Sequence, residues 1–242
     1  MTTLIKIIVT TLLSISLFSC NFDMSFGTGV QGDGNVQLED RSLNQPFTAI
    51  KASQGLDVYL TQGNDESIVI EADKNLHELI KTEVKDNVLH IYAEKNIGYA
   101  KSKKIMVNFK EVTKITSTSG SDVYSTNTIN SEHLELNTSS GSDMNLHVNA
   151  SVLECNSSSG SDLKLSGKAE KLIADASSGS DIKAGNLIAE SSRVKASSGA
   201  DITVNTAKEL TANASSGGDI KYYGNPEIVN KNDSPSGSIR KQ

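Results

Sequence analysis

The sequence predicts an all-β fold: a two-sided parallel β-solenoid with about 19–20 residues per coil. Three observations carry that prediction: a seven-residue phrase that occurs six times, alternation of period two on either side of it, and few bulky side chains. The 242 residues include only 5% aromatics and no Trp, against 18 glycines and many serines, so the core is thin and made of small side chains.

In chain order, the first element is a secretory signal, Met1 to Ser19, in which Lys6 precedes the apolar run Ile7 to Phe18. That run is too short to anchor a mature chain by spanning a bilayer. It ends in Leu17-Phe18-Ser19-Cys20, which resembles the lipobox of bacterial lipoproteins. The resemblance implies that Cys20 is lipidated and becomes the first mature residue. The only other cysteine is Cys155, so no intramolecular disulfide framework is expected. Residues 20–45 carry glycines at 27, 29, 32 and 34 without strong periodicity and read as a flexible tether.

A single β domain is expected over 46–242, irregular over 46–111 and regular over 112–239. The irregular part still alternates, as in Leu56-Asp57-Val58-Tyr59-Leu60 and Ser67-Ile68-Val69-Ile70. Asp86-Asn87 between two alternating runs predicts a hairpin, and Asp73 to Ile80 a short helix. A weak copy of the repeat, Ser53-Gln54-Gly55-Leu56-Asp57-Val58, lies 65 residues before Gly120, room for roughly three coils.

The regular part carries Ser-Thr-Ser-Gly-Ser-Asp-Val at 117–123, Thr-Ser-Ser-Gly-Ser-Asp-Met at 138–144 and Ser-Ser-Ser-Gly-Ser-Asp-Leu at 157–163. Ala-Ser-Ser-Gly-Ser-Asp-Ile at 176–182, Ala-Ser-Ser-Gly-Ala-Asp-Ile at 196–202 and Ala-Ser-Ser-Gly-Gly-Asp-Ile at 214–220 follow. Gly120, Gly141, Gly160, Gly179, Gly199 and Gly217 are thus spaced by 21, 19, 19, 20 and 18 residues, and Ser236-Gly237-Ser238-Ile239 is a degraded last copy. Before each turn Leu134/Leu136, Leu153/Cys155, Leu172/Ala174 and Leu210/Ala212 point inward. After it Val123, Met144, Leu163, Ile182, Ile202 and Ile220 do. Each unit then reads as strand, tight Ser-Gly turn, strand and a looser return such as Ser166 to Glu170. One unit cannot bury its own apolar face, but units stacked at about 4.8 Å can. The recurring glycine marks a position that needs positive φ, and the Asp two places later is expected to accept a local backbone N–H.

These features together resemble the head GIN domain family of putative autotransporter adhesins, bacterial envelope proteins. The resemblance covers about 46 to 239. It rests on Phe47-Thr48-Ala49-Ile50, Ala72-Asp73-Lys74-Asn75-Leu76, the Gly-Ser-Asp turns, and Gly218-Asp219-Ile220-Lys221-Tyr222-Tyr223-Gly224-Asn225-Pro226. It implies a right-handed, pectin-lyase-like superhelix and a role in cell adhesion, with no catalytic motif to carry over.

Formal charge is −6, and −7 once Lys6 leaves, since 22 basic then face 29 acidic residues. With only Arg41, Arg193 and Arg240 as arginines, no basic face for nucleic acid is expected. His77, His90, His133 and His147 show no metal-ligand spacing, and neither a Gly-x-Ser-x-Gly elbow nor a phosphate loop is present. Ser161-Asp162-Leu163-Lys164 and Ser180-Asp181-Ile182-Lys183 match a Ser-x-x-Lys pattern that works from a helix, whereas here they fall on a turn and strand. Cys155 reads as a buried small hydrophobe.

Asp122, Asp143, Asp162, Asp181, Asp201 and Asp219 are expected to form a column about 5 Å apart, in which unit charges repel by about 0.8 kcal/mol in water and about 3 at an effective dielectric of 20. Lys164, Lys183 and Lys221 offset this, and calcium is a candidate counter-ion for the column, the one cofactor the sequence raises. The expected function is that of a non-enzymatic lipoprotein, anchored in the outer membrane at its surface or periplasmic face. It would adhere to a glycan or protein partner, or act as a scaffold, through stacked polar faces. A glycan-active enzyme and a purely structural periplasmic lipoprotein are the alternatives.

Overall fold

Backbone alternation becomes strand throughout the computed structural model, which describes residues 29–242. The signal segment, Cys20 and the first part of the tether lie outside the described residues. Nine short strands come first: β1 (Val36–Arg41), β2 (Ala49–Ala52), β3 (Asp57–Gln62), β4 (Ser67–Asp73), β5 (Ile80–Lys85), β6 (Val88–Ala93), β7 (Lys103–Phe109), β8 (Lys114–Thr118) and β9 (Asp122–Ser125). Long strands follow: β10 (Ile129–Ser139), β11 (Asp143–Ser158), β12 (Asp162–Ser177), β13 (Asp181–Ala196) and β14 (Asp201–Ala214). The stack closes with β15 (Asp219–Tyr223), β16 (Ile228–Asp233) and β17 (Ser238–Lys241).

From β8 onward the coils stack in chain order with parallel pairing. The chain is a β-solenoid, as the repeat predicts. Face 1 holds the segments that lead into each Ser-Gly turn and face 2 those that leave it. The inward columns Leu134/Leu136, Leu153/Cys155, Leu172/Ala174 and Leu210/Ala212 are buried, as is the column from Val123 to Ile220.

The looser return does not interrupt the ladder. β11, β12 and β13 are 16 residues each and run unbroken through the corner from face 2 to face 1. Unequal repeat lengths are absorbed there. Asp181, Ile182 and Lys183 pair 20 residues ahead with Asp201, Ile202 and Thr203, whereas Ile188 pairs with Asn205, 17 ahead, and Ser191 with Glu209, 18 ahead. Between β12 and β13 and between β13 and β14 the register slips at the return end, whereas β10, β11 and β12 keep one offset throughout.

At each turn two consecutive residues are left-handed. Ser119, Ser140, Ser159, Ser178, Ser198 and Ser216 have φ of 52–59°, and the following glycines 68–78°. This is the backbone of a type I′ turn, which suits the twist of the flanking strands. Sequence reasoning anticipates the glycine but not the positive φ of the serine before it. The turns stack as well. The N–H of Gly120 donates to Ser140 O, Gly141 to Ser159 O and Gly160 to Ser178 O, at 3.1–3.2 Å.

The turn is held by the serine after the glycine rather than by the Asp. Ser161 is fully buried, donates to Ser158 O at 2.8 Å and accepts from Ser158 N at 3.3 Å, and Ser121 and Ser180 repeat both contacts. Ser157 joins this buried network through Ser161 at 3.0 Å. In the last coils Ala200 and Gly218 replace the serine, and the turn keeps only its backbone bond, Ala200 N to Ser197 O at 3.3 Å.

The first half departs furthest from a simple stack. Gly55 N donates to Ser119 O at 3.1 Å, so the coil β2–β3 sits directly beside β8–β9 and no coil lies between them, where three would fit in the sequence. The coil β6–β7, later in the chain, packs on the other side of β2–β3 in parallel. Beyond it β5, β4 and β1 add antiparallel strands. Residues 36–41, inside the segment expected as tether, are thus the edge strand β1. Asp86 and Asn87 turn the β5–β6 hairpin with φ of 51° and 62°, while the short helix expected over 73–80 is only a 3₁₀ turn, Lys74–Leu76. β7, which carries Lys103 and Lys104, is paired on both sides by β3 and β4.

Candidate functional site

Parallel in-register stacking turns each outward residue into a column, so the surface is organised as ladders. On face 2 the Asp column is real and longer than the motif suggests: Asp57, Asp122, Asp143, Asp162, Asp181, Asp201 and Asp219 are successive ladder partners, ending on Ser238. The weak Ser53–Val58 copy was the signal that could have placed Asp57 there. Lys183 bridges Asp162 at 2.6 Å and Asp181 at 3.2 Å, and Asp219 accepts the Ser238 hydroxyl at 2.6 Å.

Asp122 has no such lysine in the adjacent column. Its carboxyl is pushed above the usual range, first by burial and then by the charges of Asp143 and Asp57, against the pull of Lys103. Lys103 Nζ donates to Gly55 O beside it. Where later coils carry Lys164 and Lys183, these coils carry Tyr59 and Tyr124, stacked with ring centroids 5.2 Å apart and planes 24° apart. Met106 and then Val69 continue that column, making a half-buried apolar strip. Among the described residues, no group of three or more His, Cys, Asp or Glu is arranged to hold a metal ion.

Face 1 carries an amide ladder, with Asn156 Nδ2 donating to Asn137 Oδ1 at 3.0 Å, and a charged one, with Lys114 on Glu135 at 2.9 Å. Hydrogen bonds from Asn137 and Lys114 hold the Glu135 carboxyl below its ordinary pKa.

A groove of about 1250 Å³ runs along the return corner. Its first wall is the column Asn130, Asn149, Lys168 and Ile188, which the ladder continues through Asn205 to Tyr223. Its second wall includes Glu132, Ser151, Glu170 and Glu190. Between them the corner positions Ser131, Ala150, Ala169 and Ala189 are small, and the three alanines are buried. Gln62, Lys110, Glu111 and Thr113 close one end. At the other, Ile188 is 52% exposed, and two coil steps beyond the lining residues on the same column Tyr223 is 43% exposed. The Tyr223 ring lies over Gly185, where a Cβ would stand 3.5 Å from it. Glu190 is paired with Lys208 at 2.7 Å, while Glu132 and Glu170 have no ion-pair partner within 4.0 Å among the described residues. Sequence reasoning misses this groove.

The other singled-out residues are dispersed. Ser161 and Ser180 are buried inside their turns whereas Lys164 and Lys183 stand exposed outside, so neither Ser-x-x-Lys pair meets. Cys155 is buried, and burial pushes its thiol far above the ordinary range. His77 is buried near the first edge with Nε2 3.1 Å from Ala72 O, and His147 Nδ1 is 2.9 Å from the Ser166 hydroxyl. No helix of the described residues is long and apolar enough to cross a membrane.

Residues 46–226 match the family described as "Putative auto-transporter adhesin, head GIN domain". The chain belongs to this family. A putative adhesin from Bacteroides fragilis NCTC 9343 is similar over 88% of this chain and 100% of its own, with 25% identity and a TM-score of 0.82. A putative adhesin from Parabacteroides distasonis ATCC 8503 covers 88% of this chain and 99% of its own at 22% identity and a TM-score of 0.69. A putative lipid binding protein of that same organism covers the same shares at 20% identity and a TM-score of 0.70. The last two likenesses speak to the fold alone. No curated protein matches the sequence.

Proposed function

We propose that this member of the head GIN domain family is a non-enzymatic lipoprotein of the cell envelope, anchored through Cys20, that adheres to other surfaces by its outer ladders. The observation that carries this reading is the register. Outward positions of the regular coils are stacked one coil above the next, so weak contacts made by one coil can be added to along the stack. The family match and the similar Bacteroides fragilis adhesin support it, and Leu17-Phe18-Ser19-Cys20 supports the anchor.

The test is protease digestion of intact cells, with Cys20→Ala as the control for anchoring. Adhesion predicts that the wild-type chain is digested on intact cells and that the Cys20→Ala chain is lost from the membrane fraction. Protection until the outer membrane is broken would sink adhesion and leave envelope scaffolding.

A further inference from the structure

We infer that the groove along the return corner is a binding site for an uncharged, extended oligosaccharide lying parallel to the solenoid axis. The inference rests on the adhesive reading above and names the ligand class of one surface.

The shape comes first. A sunken row of small residues between two exposed columns makes a trough that crosses successive coils instead of following one. From Asn130 to Ile188 it spans three coil steps, about 14 Å, and the column reaches Tyr223 two steps further, about 24 Å from its start. A linear polymer fills such a trough better than a compact metabolite, and the advance per coil is comparable to that of one sugar in an extended chain.

The chemistry of the walls selects among polymers. An extended peptide seeks an unpaired strand edge, because its backbone N–H and C=O groups need partners. In the groove the ladder pairs β10 to β11, β11 to β12 and β12 to β13, so only side chains are on offer. Sugar hydroxyls, each donor and acceptor, suit this mixture. Glu132 and Glu170 accept from them, Lys168 donates, and Asn149 can do both. Uronic or sulfated sugars would meet the carboxylates of the second wall and are disfavoured. Tyr223, exposed above Gly185, offers a ring face at the far end where a sugar can stack.

Isothermal titration of the soluble Cys20→Ala chain tests this. The probes are cello-oligosaccharides and N-acetylchito-oligosaccharides from disaccharide to hexasaccharide, with hyaluronan hexasaccharide as the anionic control. Affinity is expected to rise with chain length in at least one neutral series and to exceed that for hyaluronan. Added Glu132→Ala/Glu170→Ala should weaken binding about tenfold or more, and Tyr223→Ala should weaken only the longer oligomers. Ser151→Trp, at a half-exposed position between the two glutamates, should block the trough while leaving both carboxylates in the chain, with circular dichroism and melting confirming that each variant folds. Affinity independent of length, preference for hyaluronan, no binding by any neutral probe, or full binding by Ser151→Trp would overturn the inference. Cells that still adhere in that event would leave the adhesive reading standing, whereas cells that never adhere would sink that reading alone.

Discussion

The two halves of the solenoid reach stability by different routes. The buried phenylalanines Phe47 and Phe109 both lie before β9, where only Ala52, Ala72 and Ala93 are buried alanines, against ten buried alanines after it. There the strands stack out of chain order and antiparallel strands close the end. The regular half has a narrower core, in which Cys155, Ala174, Val194 and Ala212 share one inward column. It relies on unbroken ladders, stacked turns and a thread of buried serine hydroxyls. The first half therefore acts as a packed, capped base on which the thin repeat is laid down coil by coil, each coil contacting only its neighbours.

The largest expected effect tests whether base and repeat unfold together. Phe109→Ala should cost about 3–5 kcal/mol, the range for emptying a large buried aromatic site. In a Cys20→Ala background Cys155 is the sole thiol and reports on the other half. If the repeat depends on the base, Phe109→Ala accelerates Cys155 labelling by more than about a hundredfold, given about 1.4 kcal/mol per tenfold. Unchanged labelling would mean that the repeat opens on its own and would break the picture of a supporting base.

Sequence legibility also divides along this line. Period-two alternation names the buried face of β2, β3, β4 and the long strands of the repeat, so the inward columns of both halves could be read directly, whereas β1, which has no buried face, could not. Alternation does not name the partner strand. Three stacked coils were expected from the 65-residue interval, but β4 alternates just as β2 and β3 do and yet pairs antiparallel. The serine before each turn glycine hid its positive φ because the glycine alone accounted for the turn. The groove could not be read because it depends on the relative depth of three neighbouring columns at the return, which alternation along one strand does not give.

The slippage at the return predicts the next effect. Gly167 sits in the corner of β12 at φ 112°, and a Cβ there would collide with the carbonyl oxygen of Val148 in the adjacent coil. Gly160, at a turn with φ 68°, has open space around the same position. Gly167→Ala should thus cost about 3 kcal/mol in urea unfolding, near the upper end for single substitutions. Gly160→Ala should cost only the left-handed penalty of about 1–2 kcal/mol. Equal costs would show that the corner relaxes and that the slack there is wider than its pairing implies.

Within the regular half, the hydroxyl thread separates the early turns from the late ones. Ser161→Ala removes the side-chain acceptor of Ser158 N and should cost about 1–3 kcal/mol for stranding that N–H, while the Ser157 hydroxyl keeps the Ser161 carbonyl and the Thr138 hydroxyl as partners. Ala200→Ser, the reverse exchange, should be close to neutral, because the Ser197 carbonyl is placed to accept its proton. Paired melting curves of the two variants decide whether the serines stabilise the turn or merely fill it.

The smallest effect lies at the seam between the halves, in Asp122. A carboxyl whose folded pKa is raised binds protons more readily folded than unfolded, so its ionisation weakens the fold. The penalty is absent below the ordinary carboxylate pKa of 3.8, grows as pH rises toward the raised value, and is complete above it. Asp122→Asn should therefore raise the melting temperature at neutral pH, with the gain disappearing on acidification. Glu135, whose pKa is lowered, carries the opposite sign: its contribution is present above the ordinary 4.5 and is lost as pH falls through its lowered value. Glu135→Gln should accordingly lower the neutral melting temperature. A stabilising Asp122→Asn beside a destabilising Glu135→Gln would show that the charge penalty belongs to the Asp column of face 2 and not to the paired carboxylates of face 1.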